Sequence, residues 1–587
     1  MMTIQSNVAN PTESPYNESS MQRQNLDQNA LYEKLRGQIR KLYGDSENII
    51  EVVLQEIAAT KQQYHDFRAE LSEKNVYLIA YADQLQDGKE SLKLLKDFVA
   101  KHLSEAFSCV HLLPFYPSSS DGGFAVKDYR EVCKDYGTWQ DIAAFKEAGV
   151  SVMLDAVFNH ASSEHEWFRK WRSGDESFAK YFYAFDHIDE DLKKDLEKVT
   201  RPRAHPLMTR FDTKNGERWV WTTFSEDQVD LNISDPEVFL ELVKIYLFYL
   251  LQNTSAVRMD AVPFLWKKLG TSCSHLPETH LFLQIFKTIT DCIDPNIQMI
   301  AEANVPQEEN LTYLGENGQR EADLIYNFTY PPLICHAILN NETKYFKNWL
   351  KDLAKLEHKG RFFNVSATHD GIGVRSLEGV VPALDIDHLS KIAVMKGGHV
   401  SHKTMPNGLQ ALYELNITWA SLLYQKQATE EQNVRLLVNS HALSWALPGV
   451  PAVYFHNLFA TFNDQETFEK TKHRRDLNRK RYHFEELERH VQKGLHKEVF
   501  TSMLHILQVR RSLAAFHPHA DLEVLDLGQD IIAFRRFLGE KKVNVIFNNS
   551  AWTIPINLHP LGTFDHIKNR ELEVEYQLAP YEMLWLS

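Results

Sequence analysis

The segment Val257-Arg-Met-Asp-Ala-Val262 is an apolar strand that ends on an arginine and a carboxylate two residues apart. Alternation along a strand puts Arg258 and Asp260 on the same side. A second apolar run, Met299-Ile-Ala-Glu-Ala-Asn304, ends on Glu302, and a third, from Phe362 to Asp370, ends on His369 and Asp370. Three carboxylates at the C-terminal ends of three buried strands are what glycoside chemistry on a parallel barrel requires. Cleavage with retention takes a nucleophilic carboxylate and a protonated acid about 5 Å apart. Asp260 and Glu302 fall on consecutive strands, so their ends are expected to be neighbours. Arg258 should hold Asp260 ionised, because a nearby cation lowers a carboxylate's pKa. The apolar run before Glu302 should raise its pKa and suit it to act as an acid. Any one of these carboxylates reads equally well as a structural ion pair at the barrel rim. Three together, with these neighbours, favour catalysis.

Other polar groups stand at similar positions. Asp155-Ala-Val-Phe-Asn159-His160 ends another apolar strand. Asp155 and Asn159 read as a structural hydrogen-bond cluster or as cation ligands. His160 reads as a sugar-hydroxyl contact, against the common case of a satisfied core histidine. Thr200-Arg-Pro-Arg203 and Gly397-Gly-His-Val-Ser-His-Lys403 are cationic segments that, taken alone, would be solvated faces. Gly397 and Gly398 allow the backbone to bend. Cys273 is read as packing, since a carboxylate pair leaves a thiol no task.

Eight short apolar runs start near Val76, Val110, Val152, Val257, Met299, Leu324, Phe362 and Val450. They are continuous rather than alternating, as strands buried on both faces should be. Strand, loop and helical stretch recur in turn, which predicts an α/β fold, a (β/α)8 TIM barrel over 76–512. Two gaps are too long for a loop and one helix, so inserted subdomains are expected at about 121–234 and 371–432. Short strands with turn residues after residue 513 predict a C-terminal antiparallel β domain over 513–587. Residues 29–75 carry a helical pattern (Leu31, Leu35, Ile39, Leu42, then Ile49, Val53, Leu54, Ile57) and are read as a helical extension. The polar stretch 1–28 offers too little apolar surface to order and is read as a disordered tail.

The 587 residues carry a net charge of −15, which argues against nucleic acid or an anionic membrane as partner. No apolar run is long enough to span a bilayer, and no secretory leader is visible. The five cysteines are odd in number and widely spaced, with no CxxC pair, so neither a disulfide framework nor a zinc site is expected. A cytoplasmic enzyme is the default expectation. The oligomeric state is not readable.

The strands VRMDAV, MIAEAN and SATHD, preceded by DAVFNH, resemble the α-amylase clan of glycoside hydrolases. More narrowly, YLIAYADQL, VHLLPFYPSSSDGGF, TRPR, GTSC, PPL and ATHDGIG resemble its sucrose phosphorylase subfamily, from about Val76 to the C-terminus. The resemblance implies retaining glucosyl transfer to inorganic phosphate, giving α-glucose 1-phosphate, without cofactor or metal. By motif match Asp260 is the nucleophile, Glu302 the acid and Asp370 the transition-state stabiliser. His160, Arg258 and His369, at or beside strand ends, are read as substrate-binding residues. Asp83 and Arg475 match the pair that closes on its far hydroxyls. Arg203 and the Gly397–Tyr413 loop match elements that alternate between phosphate and the leaving sugar, and a bidentate guanidinium suits such an anion.

Three departures point away from sucrose. Tyr129 stands where sucrose phosphorylases usually carry a histidine. Ala411-Leu-Tyr413-Glu414-Leu-Asn416 replaces their Asp-Leu-Tyr-Gln-Val-Asn, and the helical extension is additional. All three are closer in pattern to the glucosylglycerate phosphorylases of the same subfamily, whose leaving group carries a carboxylate. Arg203, with His399, His402 and Lys403, would hold it. The alternatives are sucrose or sucrose 6′-phosphate phosphorylase, then a hydrolase or transglucosidase, then a binding barrel without catalysis.

Overall fold

The computed structural model describes residues 27–587, apart from Asp66, Lys89, Ala204, Asn317 and residues 405–409. The expected disordered tail therefore lies almost wholly outside the described residues. The described residues begin with helix α1 (Gln28–Tyr43), whose first turn is capped by the Asp27 side chain accepting from the Asn29 amide at 2.9 Å. Helix α2 (Glu47–Gln63) follows. Leu31, Leu35 and Ile39 of α1, and Ile49, Ile50, Val53, Leu54 and Ile57 of α2, are buried, as the 3.6-residue spacing requires.

Eight parallel strands close into a barrel: β1 (Tyr77–Tyr81), β2 (Cys109–Leu113), β3 (Ser151–Ala156), β4 (Thr254–Met259), β5 (Gln298–Ala301), β6 (Leu324–Tyr326), β7 (Phe362–Asn364) and β8 (Val450–Tyr454). Every strand pairs with its sequence neighbours, and β8 closes on β1 through Tyr77–Ala452. Every residue of six strands is buried, and in β3 and β4 only one residue each is partly open, at Ser151 and Ser255. Double-sided burial is why the runs read as continuously apolar. On the outside, α2 packs against helix α3 (Pro236–Leu250), and α1 lies along helix α4 (Pro277–Ile293). The extension thus covers the barrel on the flank of β4 and β5.

The first excursion is divided. Residues 114–150 belong to the β2–β3 connection, and β3 runs through the span expected for one insert. The antiparallel subdomain proper follows β3, with strands Met208–Thr213 and Gly216–Trp221 at its centre. The second excursion is a three-stranded antiparallel sheet of Ile372–Gly373, His399–Thr404 and Gln410–Asn416, with helix Ala383–Met395 beside it. The segment read as a loop from Gly397 to Tyr413 is therefore largely two paired strands. A register shift between Ser401 and His402 interrupts their alternation and hides the period-2 signal. After helix α5 (Gly494–Arg511) a six-stranded antiparallel sheet closes the C-terminal domain. Two buried arginines fasten it to the barrel: Arg510 on α5 donates to Phe516 O (3.0 Å), and Arg536 donates to Ala446 O (2.6 Å).

Candidate active site

The strand register sets the geometry of the site. Arg258 on β4 is paired with Asp155 on β3 and Ile300 on β5, so the residues just beyond, Asp260 and Glu302, emerge side by side at the C-terminal rim. The loop amides lock them further: Glu302 N donates to Met259 O, and Val262 N donates to Glu302 O. Ala261, at φ 51°, turns its own amide onto the Glu302 carboxylate at 3.0 Å.

Arg258 is 2% exposed and sits beneath both acids. Its Nη1 donates to Asp155 and to Asp260 Oδ1 (2.7 Å), while its Nη2 lies 3.6 Å from Glu302. Its guanidinium faces the rings of Phe124 and Tyr326. Burial pushes the Glu302 carboxyl up, and the nearby Asp260 and Asp370 add to this against Arg258, bringing it to about 7. Burial also pushes Asp260 up, more than Arg258 brings it down. The sequence expectation that Arg258 would lower Asp260 outright thus leaves out the cost of desolvation. Because the guanidinium is closer to Asp260, a proton held between the two acids stays on Glu302.

Asp370 follows β7. Burial raises its pKa, but Arg475 at 2.7 Å, His369 and Arg479 together hold it far below the usual carboxylate range. His369 stacks on Phe124 at 5.2 Å, and neither of its buried ring nitrogens hydrogen-bonds. Burial lowers its pKa to about 3, so the ring is neutral, with one nitrogen a donor and the other an acceptor. His160 is likewise kept neutral by burial, with Nε2 within 3.1 Å of both Phe124 O and the Gln228 amide.

Asp260, Glu302, Asp370, His160, Arg258, His369, Arg203, Tyr413, Glu414 and Arg475 all line one cavity. Asp83 and Tyr129 do not. Asp83 pairs with Arg481 (2.7 Å), whose guanidinium covers the Tyr81 ring. Tyr129 is buried, and its hydroxyl donates to His160 O at 2.8 Å, so it supports the histidine from behind. The carboxylates that meet Arg475 are Asp370, Glu414 and Asp121. Burial raises Asp121, but Arg475, Arg479 and Arg203 bring it down to about 2. Sequence reasoning passed over Asp121 because an acid between serines and Gly122-Gly123 reads as an ordinary turn. A side chain at Gly123 (φ 104°) would meet Pro114 O at 2.2 Å, so the chain can bring Asp121 to the cavity only with glycine there.

The outer wall is cationic and aromatic. Arg203 stands over the Tyr413 ring (5.7 Å) and 3.5 Å from Glu414. Glu414, fully buried, takes Arg475 through both oxygens (3.2 and 3.1 Å) and Asn416 at 2.7 Å. His399 and Lys403 are absent from this wall: His399 packs on Phe468 and Lys403 turns to Glu378. Below the site, the question left by Asp155 and Asn159 resolves differently for each. Asp155 accepts from His111 (2.7 Å) and Arg258, whereas Asn159 and Asp230 hold the Lys267 ammonium at 2.5 and 2.6 Å. Among the described residues no group of three or more His, Cys, Asp or Glu side chains is arranged to hold a metal ion.

Residues 89–378 match the α-amylase catalytic domain family. The glucosylglycerate phosphorylase of Escherichia coli (strain K12) is 36% identical over 521 residues, covering 88% of this chain and 92% of that protein. The sucrose phosphorylase of Bifidobacterium adolescentis is 28% identical over 460 residues, covering 75% and 86%. The crystal structure of sucrose 6F-phosphate phosphorylase from Thermoanaerobacter thermosaccharolyticum superposes with a TM-score of 0.72 at 27% identity, over 87% of this chain and 99% of that one. The chain belongs to the glycoside phosphorylases of the α-amylase family.

Proposed function

We propose that the protein transfers a glucosyl unit from 2-O-α-D-glucosylglycerate to inorganic phosphate, releasing α-D-glucose 1-phosphate. The observation that carries this reading is the Arg258 guanidinium set between Asp260 and Glu302, which leaves one acid ionised and the other protonated near neutrality. Asp260 attacks the anomeric carbon while Glu302 gives its proton to the glycosidic oxygen, and glycerate leaves. Phosphate then takes its place, Glu302 accepts the phosphate proton, and the second inversion restores the α configuration. Asp370 and His369 meet ring hydroxyls as the oxocarbenium-like state forms. Asp121, with Arg475, takes the place first given to Asp83 at the far hydroxyls. An aromatic and cationic wall of Arg203 and Tyr413 receives, in turn, the carboxylate of glycerate and the phosphate.

The glycerate assignment rests on the relatives of that name and on Arg203 in the acceptor wall. Sucrose is the second reading, favoured by the sucrose phosphorylases among the relatives. Parallel assays of phosphate-dependent glucose 1-phosphate release from the two glucosides decide between them. A kcat/KM ratio of about a hundredfold or more for glucosylglycerate is expected, equivalent to roughly 2.7 kcal/mol. Equal or faster use of sucrose would overturn the substrate, and turnover without phosphate would overturn the class. We place the enzyme in the cytoplasm: its five cysteines are all unpaired, and among the described residues no helix is long and apolar enough to cross a membrane.

A further inference from the structure

The N-terminal extension does more than cover apolar surface. Between α1 and α4 lies a cleft of about 940 Å³, the size of a small-molecule site, which shares no lining residue with the cavity that holds the three carboxylates. On one wall Lys34, Gln38 and Lys41 follow one another at helical spacing along a single face of α1. None of the three has a polar partner among the described residues. Gln38 is the most telling, because its side chain is buried (8% exposed), yet neither its oxygen nor its nitrogen makes a hydrogen bond. A buried carboxamide with no partner loses stability unless something else supplies one. The Lys34 ammonium is partly buried, and its nearest acid, Asp291, already carries Lys287 (2.9 Å) and Arg320 (3.4 Å). A surplus of positive charge therefore faces the cleft from this side.

The opposite wall is of another kind. The buried Glu321 accepts from His280 (2.8 Å) and Gln284 (3.1 Å), which fixes an imidazole and a carboxamide at the cleft wall. Trp266 contributes an aromatic face beside Tyr43. Cations at one side, imidazole and amide groups at the other, and an indole ring between them match a ligand with one anionic end and a ring of hydroxyls. A polyanion would meet the acids of the far wall. An uncharged sugar would leave the two lysines without a partner.

We propose that this cleft is a binding site for a phosphorylated monosaccharide, with the phosphate between Lys34 and Lys41, the hydroxyls on Gln38 and Gln284, and the ring against Trp266. Trp266 stands six residues after Asp260, in the loop whose next residue, Lys267, is pinned to Asn159 and Asp230. The site therefore adjoins the loop that carries the proposed nucleophile. The inference is independent of which glucoside the enzyme consumes.

Isothermal titration of the full chain with glucose 6-phosphate tests it, with inorganic phosphate alone and glucose alone as separate arms. Binding to one site is expected, weakened about tenfold or more in Lys34→Glu/Lys41→Glu and in Gln38→Leu, and about tenfold weaker for either fragment. Glucosyl transfer by both variants, assayed without glucose 6-phosphate, should keep its kcat/KM, which shows that they fold. Absence of binding at millimolar ligand, binding equal in wild type and both variants, or inorganic phosphate binding as tightly as the sugar phosphate would each overturn the proposal.

Discussion

The amide of Ala261 donates to the Glu302 carboxylate at 3.0 Å, so the residue that follows the proposed nucleophile also holds the proposed acid. Alanine reaches this position at φ 51°, in a left-handed conformation that costs roughly 1–2 kcal/mol for a residue with a Cβ. Backbone strain at such a point goes with a geometry that the surroundings enforce. Arg258 completes the unit from beneath.

The pH profile follows from this arrangement. Glu302, pushed by burial to about 7, is protonated below that pH and can donate; above it the proton is lost. The kcat/KM for the glucoside should therefore fall about tenfold per pH unit above 7. Glu302→Gln should remove that limb and slow the reaction about 10²–10⁴-fold. A profile flat from pH 6 to pH 9 in the wild type would contradict the assignment.

Glu414 separates Arg203 from Arg475 in the acceptor wall, and Glu414→Gln keeps the shape while removing the charge. By freeing both guanidiniums for an anionic leaving group, the variant should widen the preference for glucosylglycerate over sucrose by about tenfold, measured as a ratio of kcat/KM values. An unchanged ratio would mean that Glu414 only supports Arg475.

Asp83 and Asp121 make a paired test. Asp121→Ala should raise the KM for the glucoside about tenfold or more, because the carboxylate lines the cavity beside Arg475. Asp83→Ala should leave that KM nearly unchanged and lower the thermal midpoint, since it strands Arg481. The reverse pattern would restore the pairing suggested by sequence.

Lys267→Met leaves the Asp230 carboxylate and Asn159 without their cation in a fully buried position. A loss of about 3–5 kcal/mol is expected, read as a lower denaturation midpoint. Wild-type stability in this variant would show that the cluster tolerates loss of its charge.

Much of this was legible in the sequence, for physical reasons. Strands buried on both faces must be continuously apolar, which is why all eight, from Tyr77 to Tyr454, stand out from the loops between them. The extension shows itself through Leu35, Ile39, Val53 and Ile57, because an amphipathic helix must repeat its apolar face. The three carboxylates are visible because strand ends position them, and the described geometry brings them to one cavity. What escaped is set by long-range contact. Whether Arg475 or Arg481 meets Asp83 depends on how the chain after β8 folds back over the barrel, and no local pattern encodes that. Asp121 depends on a glycine turn closing over Pro114. The net direction at Asp260 depends on depth of burial, which outweighs the arginine two residues away.

The most direct test of the central claim is to trap the glucosyl-enzyme. Glu302→Gln would be mixed with α-glucosyl fluoride, whose leaving group needs no acid, in the absence of phosphate, and its peptides examined by mass spectrometry. The account predicts one glucosyl residue on the peptide carrying Asp260, and its discharge as α-glucose 1-phosphate when phosphate is added. No adduct, an adduct on another residue, or one that phosphate leaves untouched would contradict it.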